Sequence, residues 1–139
     1  MIRVLISGSR KHTNAWGVEN SLIGFVGANE ANNLSVIHGA CPHPRDRMHG
    51  RSVDMIADET FKMQGVKVQG FPADWNKHGK AAGMIRNQFM VDAKPDLVIA
   101  YPCGESPGTR NCIKIAQKAG LQVVVKELED LSHDPTAPF

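Results

Sequence analysis

Two segments combine residue types suited to holding an anion. The first is Pro102-Cys103-Gly104-Glu105-Ser106-Pro107-Gly108-Thr109. Ser106 suits a helix N-cap, and Pro107 suits the first helical position, where its missing N–H costs nothing. Gly104 and Gly108 allow a ligand close to the backbone. A helix start offers free N–H groups and the positive end of a dipole, which together suit phosphate. The same residues also describe an ordinary loop that caps a helix. The second segment is Ser7-Gly8-Ser9-Arg10. Gly8 permits a tight exit, Ser9 supplies a hydroxyl and Arg10 a guanidinium able to grip phosphate in bidentate fashion. The alternative is a surface arginine beside a turn. Neither segment is a GxGxxG fingerprint, and the chain has no Walker A sequence. Rossmann dehydrogenases and P-loop NTPases are therefore disfavoured.

Two further segments add aromatic and basic groups. In Phe71–Met90, Asp74-Trp75 places an indole that can stack on a base-like ring or close the core edge. Arg86-Asn87 follows Ile85, so Arg86 falls at the flank of a buried helix face, placed to contact phosphate or ribose or to form a surface ion pair. The loop from His38 to Arg51 holds His38, Cys41, His43 and His49, but at no spacing used by structural zinc. No metal and no other cofactor is expected. Arg45, Arg47 and Arg51 make Pro42–Arg51 a basic loop, either folded over an anionic ligand or solvated.

These segments need a scaffold, and the apolar pattern supplies one. Five short apolar, β-branched runs read as strands: Ile2–Ile6, Leu34–His38, Val66–Phe71, Asp96–Tyr101 and Leu121–Lys126. Leu97–Ala100 and Val123–Val125 are continuously apolar, as in strands covered on both faces. Helical spacing lies between them. Val18, Leu22, Phe25 and Val26 share one face; Val53, Ile56, Ala57 and Phe61 a second; Ala82, Ile85, Phe89 and Ala93 a third. Ile113 and Ala116 mark a fourth helix, with Gly120 at its C-cap. Strand–helix alternation predicts an α/β, Rossmann-like, doubly wound parallel sheet of about five strands with helices on both faces, in the order 3-2-1-4-5. Ligands bind such sheets at the switch point outside the carboxyl ends of the strands. The two anion-suited loops are the ones that meet there.

Composition limits the remaining classes. The chain has 139 residues, 42% hydrophobic and 22% charged, with a formal net charge of +2. One domain over 1–126 with a C-terminal tail over 127–139 is expected. The charge does not announce nucleic-acid binding, and one Tyr with two Trp provides few stacking rings, so a single-strand binder is disfavoured. No apolar run has membrane-spanning length, and Val4-Leu5-Ile6 is too short for a signal-peptide core. The three cysteines lack CxxC spacing, in keeping with reduced thiols. A cytoplasmic protein without a membrane partner is expected.

Taken in order, His38-Gly39-Ala40-Cys41-Pro42, Phe71-Pro72-Ala73-Asp74-Trp75, Gly79–Met90 with its Gly-Lys-Ala-Ala-Gly and Arg-Asn elements, and the loop ending Gly108-Thr109 form a specific series. From Ile2 to Lys126 the chain resembles the YspA/YpsA-related group of the SLOG superfamily, small Rossmann-like domains of bacteria and phages. That superfamily includes the LOG phosphoribohydrolases, TIR-associated sensors of NAD-derived signals and the DprA proteins. The resemblance implies a nucleotide-derived ligand whose phosphate is held by the Gly-Thr loop. Gly8, Ser9 and Arg10 match the family's first loop, Gly39 the glycine after its second strand, Arg86 and Asn87 its RN pair, and Gly104, Gly108 and Thr109 its phosphate loop. Asp54 matches the family aspartate, although extra residues intervene before it. Self-association through the RN helix is also implied. The phosphoribohydrolases carry PGGxGTxxE, whose glutamate assists N-glycosidic cleavage; here Cys112 stands at that position. A thiol cannot replace a carboxylate beside an oxocarbenium-like centre. Glu105, Asp54 and Asp74 are the candidate carboxylates if hydrolysis occurs. The expectation is a binding domain, a sensor or sponge, with a nucleotide N-glycosidase as the alternative.

Overall fold

A computed structural model of the chain describes residues 1–10, 15–40 and 52–129. Five parallel strands form one sheet in the order β3-β2-β1-β4-β5. They are β1 (Ile2–Gly8), β2 (Leu34–His38), β3 (Lys67–Gly70), β4 (Leu97–Tyr101) and β5 (Val123–Val125). The helices are α1 (Ala15–Asn29), α2 (Val53–Met63), α3 (Trp75–His78), α4 (Ala82–Asp92) and α5 (Pro107–Lys118), with short 3-10 turns at Ala31–Asn33 and Gly79–Ala81. The expected doubly wound sheet and its strand order are both present.

Strand alternation divides the core into two. Val4 and Ile6 of β1, with Val36, Ile99 and Tyr101, face α1 and α2. Leu5, Ile37 and Val98 point the other way, against Met90 and Val91 of α4 and Cys112 and Ala116 of α5. Period-two side chains on parallel strands force this arrangement, since both sheet faces must be covered. Fully buried aliphatic side chains such as Leu5, Ile6 and Leu22 each contribute about 1.5–3 kcal/mol of transfer free energy. The expected faces of α1 and α2 are the buried ones: Val18, Leu22 and Val26 in the first, Val53, Ile56, Ala57 and Phe61 in the second. Gly24 and Gly27 lie within α1 without breaking it. Gly120 takes φ +78 just past α5, the left-handed conformation of a helix terminus.

Two expectations need correction. β5 is a three-residue edge strand, only half-buried, not a strand covered on both faces, because it pairs with β4 alone. In α4 the buried residues are Ala82, Asn87, Met90 and Val91, whereas Phe89 is 61% exposed. The helix is rotated so that a polar residue packs inward against α5. Glu127 and Leu128, assigned to the tail, are attached to the domain. Leu128 N–H donates to the Pro102 carbonyl at 2.7 Å, and Glu127 pairs with Arg110. Among the described residues, no helix is long and apolar enough to cross a membrane.

Candidate functional site

The helices that follow β1 and β4 leave on opposite faces of the sheet, and a cleft of about 710 Å³ lies beyond the carboxyl ends of these two strands. That volume is in the range of small-molecule sites. All eleven residues expected to bind ligand line it: Gly8, Ser9, Arg10, Gly39, Trp75, Arg86, Asn87, Gly104, Ser106, Gly108 and Thr109. Of the three candidate carboxylates, Asp54 and Glu105 line it as well. Asp74 does not. Its carboxylate accepts the Lys77 N–H at 3.0 Å as the N-cap of α3, and it faces a smaller cavity of about 220 Å³ behind Arg86. A short helix beginning at Trp75 needs that cap.

The floor is built from packing constraints that sequence motifs do not reveal. A Cβ on Gly8 would lie 2.6 Å from Val53 Cγ2 and closer still to Val53 Cβ and Cγ1. Gly8 therefore serves the seating of α2 on β1. The next residue joins three elements through its backbone: Ser9 N–H donates to the Tyr101 carbonyl at 3.0 Å, and its carbonyl accepts from Val53 N–H at 3.1 Å. A Cβ on Gly39 would meet Arg86 Nη1 at 2.6 Å and Asp54 Oδ2 at 3.0 Å. Gly39 is small because a guanidinium and a carboxylate occupy that corner.

Arg86 and Asn87 brace the walls. Arg86 Nη1 donates to the Gly39 carbonyl, with the Phe71 carbonyl at 3.5 Å, so one cation ties the ends of β2 and β3 to α4. Its Nε donates to Asn87 Oδ1 at 3.0 Å. Asn87, buried, donates through Nδ2 to the Gly108 carbonyl at 3.1 Å and to Asn111 Oδ1 at 3.2 Å. The pair thus positions both sides of the cleft, Arg86 holding the β2 side and Asn87 holding the start of α5. Arg86 lines the cleft, and its hydrogen bonds are to the backbone carbonyls of Gly39 and Phe71 and to the Asn87 side chain.

The start of α5 is the polar lip. Ser106 occupies the N-cap and Pro107 follows, as expected, but Ser106 has φ 40 and ψ 58 and its hydroxyl makes no cap bond to a helix amide. Ser106 Oγ instead donates to Thr109 Oγ1 at 3.1 Å. With Ser106 left-handed, its side chain does not close the first-turn N–H groups, and Ser106 to Thr109 line the cleft. Gly104, at φ +63, makes the bend that leads into this lip. Basic groups surround it: Arg10, Arg86 and Lys80 line the cleft. Lys80 was not singled out from the sequence, though it sits in the Gly-Lys-Ala-Ala-Gly element. Ser7, Met84, Met90 and Cys103 are further lining residues that no local signal marked.

Cys112 is fully buried beneath this floor. Burial pushes its thiol up to about 11, against the opposing effect of a hydrogen bond with Ser7. It is a neutral thiol at physiological pH, unable to act as a base or as a compensating charge. Across the cleft, Arg10 lies over the Trp75 ring, its Cζ 5.4 Å from the centroid. α4, the helix expected to mediate self-association, exposes Met84 and Phe89. Cys41, His43, His49 and the basic loop Pro42–Arg51 lie outside the described residues. Among the described residues, no group of three or more His, Cys, Asp or Glu could hold a metal ion.

Comparison with known proteins finds no matching family model and no matching solved structure. The chain is similar to the Gene 61 protein of Mycobacterium phage D29. The two are 38% identical over 131 residues, covering 89% of this chain and 95% of that protein.

Proposed function

The chain belongs to the family of the Gene 61 protein of Mycobacterium phage D29, and we propose that it binds a nucleotide-derived, phosphate-bearing ligand in the β1–β4 cleft as a sensor or sponge. The observation that carries this reading is the lip of α5. Its first-turn amides are not capped by the Ser106 side chain, and Ser106 to Thr109 line the same cleft as Arg10, Lys80 and Arg86. A helix N-terminus carries about half a positive charge, and adjacent cations add to it. The SLOG resemblance supports the same ligand class. Binding is favoured over N-glycosidic hydrolysis because Cys112, at the position of the phosphoribohydrolase glutamate, is buried and neutral. A single-strand binder is disfavoured because Trp75 is the one aromatic lining the cleft among the described residues, and such grooves use several.

The test measures thermal shift and free-base release with AMP, CMP, NAD and ADP-ribose. A raised melting temperature without base release is expected, since a ligand that binds only the folded state stabilises it. Lys80→Ala with Thr109→Ala should weaken binding by at least tenfold, as expected for lost charge-assisted bonds worth about 1.5–3 kcal/mol. Base release that survives Cys112→Ala and is lost with Asp54→Asn or Glu105→Gln would make the protein an enzyme. Absence of a shift with all four ligands would refute the reading.

A further inference from the structure

Phosphate recognition at α5 does not account for the opposite wall, where an indole stands open. Trp75 begins α3, held by the Asp74 cap and ended by Gly79 at φ +58. The residue is 47% exposed, so it does not serve as core packing. Its inner edge rests against α4 at Gly83, where an added Cβ would lie 3.6 Å from Trp75 Cη2. The indole is therefore backed by α4 along that edge. The Arg10 guanidinium lies over the ring, with its Cζ 5.4 Å from the centroid. That separation is too short for another ring to enter between them, so a planar ligand that stacks on this face must displace Arg10. A cation over a solvent-exposed ring is held weakly. A nucleobase presents a larger π-face and stacks on aromatic side chains more strongly.

We infer that Trp75 is the seat of the ligand's base and that Arg10 is its displaceable cover. A purine or pyrimidine stacks on the indole and lifts the guanidinium off, and Arg10, which lines the same cleft as the α5 lip, then turns to the phosphate. This rests on the phosphate reading above and narrows the ligand to a nucleotide with an intact base, as opposed to a sugar phosphate.

The chain has two tryptophans, and Trp16 is 78% exposed, so Trp16→Phe leaves Trp75 as the sole indole reporter without touching the core. In that background AMP and CMP should quench Trp75 emission, while ribose 5-phosphate and inorganic phosphate should not. By calorimetry, AMP should bind at least about fivefold tighter than ribose 5-phosphate, the low end of one base–aromatic stack. Trp75→Ala should erase that advantage, so that AMP binds no tighter than ribose 5-phosphate, and Trp75→Phe should restore part of it. Arg10→Ala should tighten binding of adenosine, which has no phosphate, and weaken that of AMP. Equal affinities for AMP and ribose 5-phosphate, with unchanged Trp75 emission, would overturn the inference and leave phosphate binding standing. Binding of none of these probes would overturn both.

Discussion

Ser52 and Ser106 are the same residue in the same role, the N-cap of a helix beginning beside a central strand, yet they leave opposite surfaces. Ser52 has φ -65 and ψ 154, and its hydroxyl accepts the Met55 N–H at 3.2 Å. The start of α2 is further closed by Val53 packing on Gly8 and by the Val53 N–H bond to Ser9. Ser106 is left-handed, and its hydroxyl turns to Thr109 instead. One helix start is sealed into the floor of the cleft; the other is presented to it. The residue type sets which hydrogen bonds a cap side chain can make, and the backbone dihedral decides which of them it makes.

The sealed start of α2 should be the more sensitive region. Gly8→Ala forces a methyl into Val53, and overpacking of that kind costs about 2–3 kcal/mol. Urea denaturation should show the loss; a change under about 0.5 kcal/mol would mean that α2 does not rest on β1 as described. The two serines then separate the helix starts directly. Ser52→Ala should destabilise by about 1 kcal/mol, the usual cost of a lost cap, while Ser106→Ala should stay within about 0.5 kcal/mol. Equal losses at both positions would erase the contrast.

The smallest effect lies farther along α2 and is sensitive to pH. His38, buried, contacts Asp58 Oδ1 through Nε2 at 2.9 Å and accepts the Ala40 N–H at Nδ1, also at 2.9 Å. Lys62 donates to Asp58 Oδ2 at 2.9 Å. Burial raises the Asp58 pKa, but the bonds from Lys62 and His38 outweigh it and hold the carboxyl below its ordinary 3.8. Its contribution is therefore complete above the unfolded value and is lost as pH falls through the lower folded one. Asp58→Asn should cost about 0.5 kcal/mol near neutrality. The gap to the wild-type chain in urea midpoint should close below pH 4. A gap that stays the same size from pH 6 down to the lowest pH at which the chain still folds would show that the carboxylate charge is not what secures α2 to β2.

Much of this was legible in the residues. Val4, Leu5 and Ile6 report a central strand buried on both faces, and Val53, Ile56, Ala57 and Phe61 report which face of α2 turns inward, because apolar periodicity follows directly from backbone geometry. The Pro-Gly-Ser loop and Arg10 marked the cleft because the switch point follows from strand order. Lys80 carries no local signal, because a lysine next to a helix start is ordinary on any surface. Phe89 misled because its spacing fitted the apolar face while the bonds of Asn87 turned α4 the other way. Asp74 looked free to do chemistry but is fixed by the short helix it caps.

The sequence by itself determined the alternation of elements and favoured one order of the sheet, with the two loops that meet at its switch point, since periodicity, chain connectivity and handedness leave few arrangements open. Only the tertiary structure decided what the loops present. The rotation of α4 and the setting of Cys112 involve partners distant in sequence, Gly39 and Gly108 for the first and Ser7 for the second, and the left-handed turn at Ser106 is not given by its residue type. Local patterns carry the shape of each element, but the direction of a polar side chain is chosen by the neighbours that complete its hydrogen bonds.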